Sequence, residues 1–200
     1  MERVKRFEDL VGGTWVTVKF HRTVPSEREL ISDEEMRFCE AVRRGRESPV
    51  ILTPPQMTCP GALRSFGWGR NRDAEMAGKI SEKLGISRET ASAMLKETPR
   101  VERGIGAVTV GDCERPDLVI SYAQPLAAMR LMRQFQKISG ENLPADLSSI
   151  VSVCGHVAVK CFLTGRICLS LGCNDAREYG AISRDRLVIG VPYDLIQRLI

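Results

Sequence analysis

The sequence has no C-x-x-C pair, no C-x-x-C-x-x-C run and no Cys/His finger spacing. The local templates for zinc ribbons and ferredoxin-type clusters are therefore missing. It has no G-x-x-x-x-G-K-[ST] or G-x-G-x-x-G phosphate loop, and no G-x-S-x-G hydrolase elbow. No apolar run approaches the ~18 residues that span a bilayer. Met1 to Asp9 holds no apolar signal region. The expectation is a cytoplasmic chain with no membrane partner. Charge of one sign is also lacking: the net charge is +4 over 200 residues, shared evenly between the two halves. Bulk charge gives no case for nucleic acid.

What is plentiful is cysteine. There are seven, an odd number, in a chain read as belonging to a reducing compartment. That pattern argues against a disulfide framework. Metal or cluster ligation, thiol chemistry and small apolar core residues remain.

A hydrophobic fraction of 43% and a charged fraction of 27% suit one sizeable domain over residues 1–200. Thr14 to Phe20 alternates as a strand. Asp33 reads as the N-cap of a helix running to about Arg44, with Met36, Cys39 and Val42 on one face. Pro49–Thr53 is a short apolar strand closed by Pro54-Pro55. Thr58-Cys59-Pro60-Gly61 starts a helix, with Pro60 in its first turn. Helices follow over 72–84 and 87–96, and strands over 105–110 and 118–122. A long amphipathic helix covers 125–138. Ile150–Cys154 and Arg166–Leu171 read as strands, Gly172-Cys173-Asn174-Asp175 opens a short helix, and a strand at 187–191 precedes a terminal helix. Interspersed strands and helices place the fold in the α/β or α+β class with a mixed sheet.

The chain also resembles itself. Cys59-Pro-Gly-Ala-Leu-Arg-Ser-Phe-Gly67 is similar to Cys173-Asn-Asp-Ala-Arg-Glu-Tyr-Gly180, and the strand at 14–20 parallels that at 118–122. Two pseudo-repeated half-domains, 1–100 and 101–200, would then each present a cysteine to one shared cleft.

The cysteines are not equivalent. Cys161 and Cys168 sit among Phe162, Leu163, Ile167 and Leu169 and read as core. Cys113 lies in a polar turn and reads as an exposed thiol. Cys59 and Cys173 each stand at a helix start, where the dipole and free N–H groups favour thiolate. Cys154 precedes Gly155 at the end of an apolar segment. Cys39 lies on an apolar helix face, where core packing and ligation both suit it. His156 is a possible ligand or proton carrier. Lys19 on an apolar strand is a candidate substrate-binding cation, unless it points to solvent from an edge. Arg177, one turn beyond Cys173, is a candidate clamp for an anionic substrate.

A family resemblance rests on Val16-Thr-Val-Lys19, Met36-Arg-Phe-Cys39-Glu-Ala41, Cys59-Pro-Gly-Ala62 with Gly67, and Pro116-Asp-Leu-Val-Ile120 through Pro125 and Met129. It continues with Cys154, Ser170-Leu-Gly-Cys173 with Arg177, and Val188-Ile-Gly-Val-Pro192. In these features, which run through nearly the whole chain, it resembles the Domain of Unknown Function 169 family, found largely in archaea and anaerobic bacteria. The resemblance implies a single family domain and no particular reaction. Cys39, Cys59, Cys154 and Cys173 are the cysteines inside the matching pieces, the number a 4Fe–4S cubane takes.

Three functional expectations follow. The first is a 4Fe–4S cluster on those four cysteines, with electron-transfer or cluster-based chemistry and an unidentified redox partner or small anionic ligand. The second is a metal-free thiol enzyme using Cys59 or Cys173. The third is a small-ligand or zinc-binding module whose cysteines are otherwise structural.

Overall fold

The computed structural model describes residues 2–26, 31–69, 72–145 and 147–200. Its centre is one six-stranded sheet in the order β2-β3-β1-β4-β6-β5. The strands are β1 (Val16–His21), β2 (Val50–Leu52), β3 (Ala107–Val110), β4 (Leu118–Ala123), β5 (Cys168–Ser170) and β6 (Leu187–Pro192). The class expected from the sequence holds. Every ladder is antiparallel, so the sheet is of the α+β type rather than mixed. The parallel pairings, Ile31 with Ile51 and Met36 with Met57, are isolated bridges.

The strand order is that of two three-stranded halves. β1 pairs with β3 and β3 with β2, as β4 pairs with β6 and β6 with β5. The halves join through β1 and β4, where Val16 faces Ile120, Thr17 faces Val119 and Val18 faces Leu118. That ladder is symmetric about the Thr17–Val119 pair. Val18 faces Val110 just as Ile120 faces Gly190, and Val50 faces Val110 just as Cys168 faces Gly190. β3 begins after residue 100 yet pairs inside the first half, so the division within the sheet falls between β3 and β4.

Alternation along the strands sends side chains to two cores. One face carries Val119, Ala123, Ile189 and Val191. Helices α1 (Glu2–Val11), α6 (Pro125–Ser139) and α9 (Tyr193–Leu199) cover it with Phe7, Leu131 and Ile196. The other face carries Val16, Val18, Phe20, Leu118, Ile120 and Tyr122. Against it lie α2 (Phe38–Arg44), α3 (Pro60–Ser65), α7 (Lys160–Thr164), α8 (Asn174–Tyr179) and a π-helical segment, Ser152–Val159. The pair α4 (Asp73–Leu84) and α5 (Arg88–Glu97) flanks this second layer and packs chiefly on itself.

Three expectations change. The helix read from Asp33 begins only at Phe38, because Met36 spends its N–H on Gln56 O and its carbonyl on Thr58 N–H. Arg37, extended at φ −84° and ψ 151°, is the N-cap. The strand read over Ile150–Cys154 is the start of the π-helical segment, in which every residue is buried. A helix with no polar face has no helical periodicity to betray it. α1 was not expected at all, although Val4, Phe7 and Val11 mark its buried face.

Candidate functional site

Four segments bring four cysteines to one place above the sheet. Cys59 is the N-cap of α3 and Cys173 the N-cap of α8, both in extended conformation. Cys39 lies in the first turn of α2, and Cys154 in the π-helical segment. α2 packs on α8 and on the π-helical segment, and α3 packs on the π-helical segment. Each half of the sheet thus supplies one cysteine on the helix before its outer strand and one just after that strand.

Backbone geometry holds the arrangement. Val151, next to the π-helical segment, has φ +48°, a left-handed conformation that costs a β-branched residue on the order of 1–3 kcal/mol. Its side chain fills the space above Gly61 and Gly155. A Cβ on either glycine would stand 3.0 Å or less from it. Val151 O accepts from both Gly155 and His156, and the second bond is the wide i→i+5 step of a π-turn. Ser152 Oγ accepts from Cys173 N–H at 2.6 Å, tying the segment to the start of α8. The Tyr122 hydroxyl, on β4, donates to Cys39 O at 2.8 Å and fixes α2.

The ionisation of Cys39, Cys59 and Cys154 is shifted by their surroundings. Cys59 is lowered to about 7, first by its hydrogen bond with Cys154, then against the cost of burial by N–H groups of Ala62 and Gly61 and by Arg37. Cys154 moves up, first through the same bond and then through burial and the thiols of Cys59, Cys173 and Cys39. The two titrate as a linked pair in which Cys59 loses its proton first and Cys154 is the donor of the shared hydrogen bond. Burial, followed by Cys59 and Cys173, pushes Cys39 up to about 12. All seven cysteines are free. Among the described residues, no three His, Cys, Asp or Glu side chains converge closely enough to hold a single metal ion.

Cys59, Cys154 and Cys173 line a cleft of about 300 Å³, whereas Cys39 is buried and is not among its lining residues. Arg37 and Lys83 stand at its lip, each on one oxygen of Asp175, at 2.7 and 2.9 Å. The Arg37 guanidinium also stacks 4.2 Å from the Tyr179 ring centroid. Met76, Ile80 and Leu84 of α4 form the apolar wall opposite.

The other expected site residues lie elsewhere. Lys19 donates to Glu114 O at 2.8 Å, away from the cleft. Arg177 donates to Leu171 O and to Ser183 O, bracing the turn around α8 rather than facing the cleft. His156 is buried in the π-helical segment. Cys161 and Cys168 are core residues as expected. Cys113 is half-buried and donates to Thr17 Oγ1 rather than standing exposed. The sequence reading missed Arg37, Lys83 and Asp175. They occupy ordinary polar positions, and only the fold brings α2, α4 and α8 together.

The family described as "Uncharacterised ArCR", Domain of Unknown Function 169, matches residues 12–200. The chain belongs to this family. Within the curated proteins, the "Uncharacterized protein MJ0308" of Methanocaldococcus jannaschii is 28% identical over 177 residues, covering 84% of this chain and 76% of that protein. No solved structure matches the chain. The family match takes in all six strands and the four gathered cysteines. No helix among the described residues is long and apolar enough to cross a membrane.

Proposed function

We propose that this family member binds a 4Fe–4S cluster through Cys39, Cys59, Cys154 and Cys173. The observation that carries this reading is the convergence of four thiols, from four separate segments, on one partly buried place. A single zinc ion, with Zn–S distances of about 2.3 Å, needs thiolates nearly touching one another. A cubane takes one thiolate at each of four separate iron corners. Among the described residues no three of these side chains are placed for a single ion, which favours the wider arrangement, with the hydrogen-bonded Cys59 and Cys154 moving apart to take separate corners. When bound, the cluster would supply one-electron transfer. The protein's own part is to orient the thiolates through Ser152, Tyr122 and the N–H groups at the start of α3. Arg37 and Lys83 set positive charge beside the thiolates, and the core on this face of the sheet excludes water from behind.

A second reading has its own support. Cys59, a thiolate near neutral pH with Arg37 beside it, is the form that attacks electrophiles. Anaerobic reconstitution separates the two. The cluster reading expects a brown protein with about four iron and four sulfide per chain. Cys59→Ala, Cys154→Ala and Cys173→Ala should each lose most of that iron, while Cys161→Ala should keep it. A colourless, iron-free wild-type protein after reconstitution would leave the thiol reading.

A further inference from the structure

One difference between the two halves of the sheet lies beside the cleft. In the second half, seven residues, 180–186, lead from α8 to β6. In the first, the connection from α3 to β3 contains α4 and α5. Holding thiolates needs no such addition, since Cys173 is presented without one. What the hairpin adds is a wall: Met76, Ile80 and Leu84 at spacing four face the thiols across the cleft, and Lys83 reaches its lip.

We propose that this cleft binds a small organic carboxylate, its acid group against Arg37 and Lys83 and its apolar body along α4, within reach of Cys59. The inference concerns the same site as the cluster reading. Asp175 uses one donor of Arg37 and one of Lys83; a guanidinium has five donors and an ammonium three. Asp175 thus clamps both cations at the lip and leaves them one net positive charge while Cys59 is protonated. The planar guanidinium, held by the Tyr179 ring, suits a planar carboxylate. A single negative charge balances the lip, whereas a second would meet Asp175. The apolar wall has no use for an inorganic anion. A volume of about 300 Å³ is the size of a small-molecule pocket.

The test uses metal-free, reduced full-length protein. Iodoacetamide alkylates Cys59: the sulfur displaces iodide, forming an S–C bond as the C–I bond breaks, and peptide mass spectrometry reads the rate. Straight-chain carboxylates from butyrate to octanoate should slow this alkylation saturably, while 1-hexanol and inorganic phosphate should not. Lys83→Gln, at an exposed position, should weaken hexanoate protection by about fivefold, the scale of one partly screened charge contact. Lys96→Gln, on α5 and outside the cleft, should leave it unchanged. Protection by no carboxylate, equal protection by hexanol, or equal protection by phosphate would each overturn the proposal. Iron content after reconstitution is measured separately. A protein that loads iron without carboxylate protection refutes this inference alone, and one that shows protection without loading iron refutes the cluster alone.

Discussion

The hydrogen bond between Cys59 and Cys154 draws the first thiol down and pushes the second up, and that sets how the metal-free site reacts. With Cys59 at about 7 rather than the ordinary 9, alkylation of the metal-free protein by iodoacetamide should reach half its plateau rate near pH 7. Cys154, which holds the proton, should stay unreactive over the same range. Cys154→Ala removes the donor, so the Cys59 profile should shift toward higher pH; an unchanged profile would assign the depression to Arg37 and the N–H groups alone. The stability consequences have opposite signs. The depressed Cys59 contributes stability that is complete above pH 9 and is lost as pH falls through about 7. Cys39, pushed up to about 12 by burial, contributes as a neutral thiol. Its contribution is complete below pH 9 and is lost as pH rises toward 12. Thermal melts of metal-free protein should therefore fall above pH 9, and fall less steeply in Cys39→Ala.

At the scale of elements, the π-helical segment decides whether the thiols meet. Gly155 lies where a Cβ would stand 2.9 Å from Ser65 Oγ and from Val151 Cγ1, and 3.0 Å from Thr98 Cγ2. The contacts belong to α3, the strained Val151 and the end of α5, so no single flexible side chain can yield. Gly155→Ala should cost about 1–3 kcal/mol by overpacking, read as a shift in the urea midpoint. It should also lower iron uptake, because it pushes Cys154 away from Cys59; full uptake with lowered stability would show that the segment tolerates the shift. This segment is also where the sequence is least readable. The strands β1, β3, β4 and β6 are legible because alternation or short apolar runs between turns leave few other options. Cys59 and Cys173 are legible as lying at helix starts because proline or glycine stands beside each; that Cys59 itself, rather than Thr58, is the N-cap comes from the structure. Ser152–Val159 is buried all round, and length alone does not separate a buried strand from a buried helix. Arg37 is illegible for another reason: its partners Asp175 and Tyr179 lie on α8, far along the chain.

At the scale of the molecule, the sheet brings the cysteines of its two three-stranded halves to one side. β1 and β4 lie at its centre and are buried along most of their length, while three-residue β2 and β5 form the edges. The first half supplies Cys39 and Cys59, the second Cys154 and Cys173, so anything held by all four joins the halves. Local opening follows burial and packing. Amides of β4 should exchange slowest in the metal-free protein. Those of α4 and α5 should exchange among the fastest, since Ala77, Ala91 and Leu95 are their buried residues. Cluster loading should then slow exchange in α2 and α3 and in the π-helical segment and α8 together, because opening any one of them would break a ligand bond. β4, already at the global limit, should change only as the whole protein gains stability. Protection confined to α3 and the π-helical segment would mean that Cys59 and Cys154 alone carry the group. In that case the shared site would reduce to the hydrogen-bonded pair at the seam between the two halves.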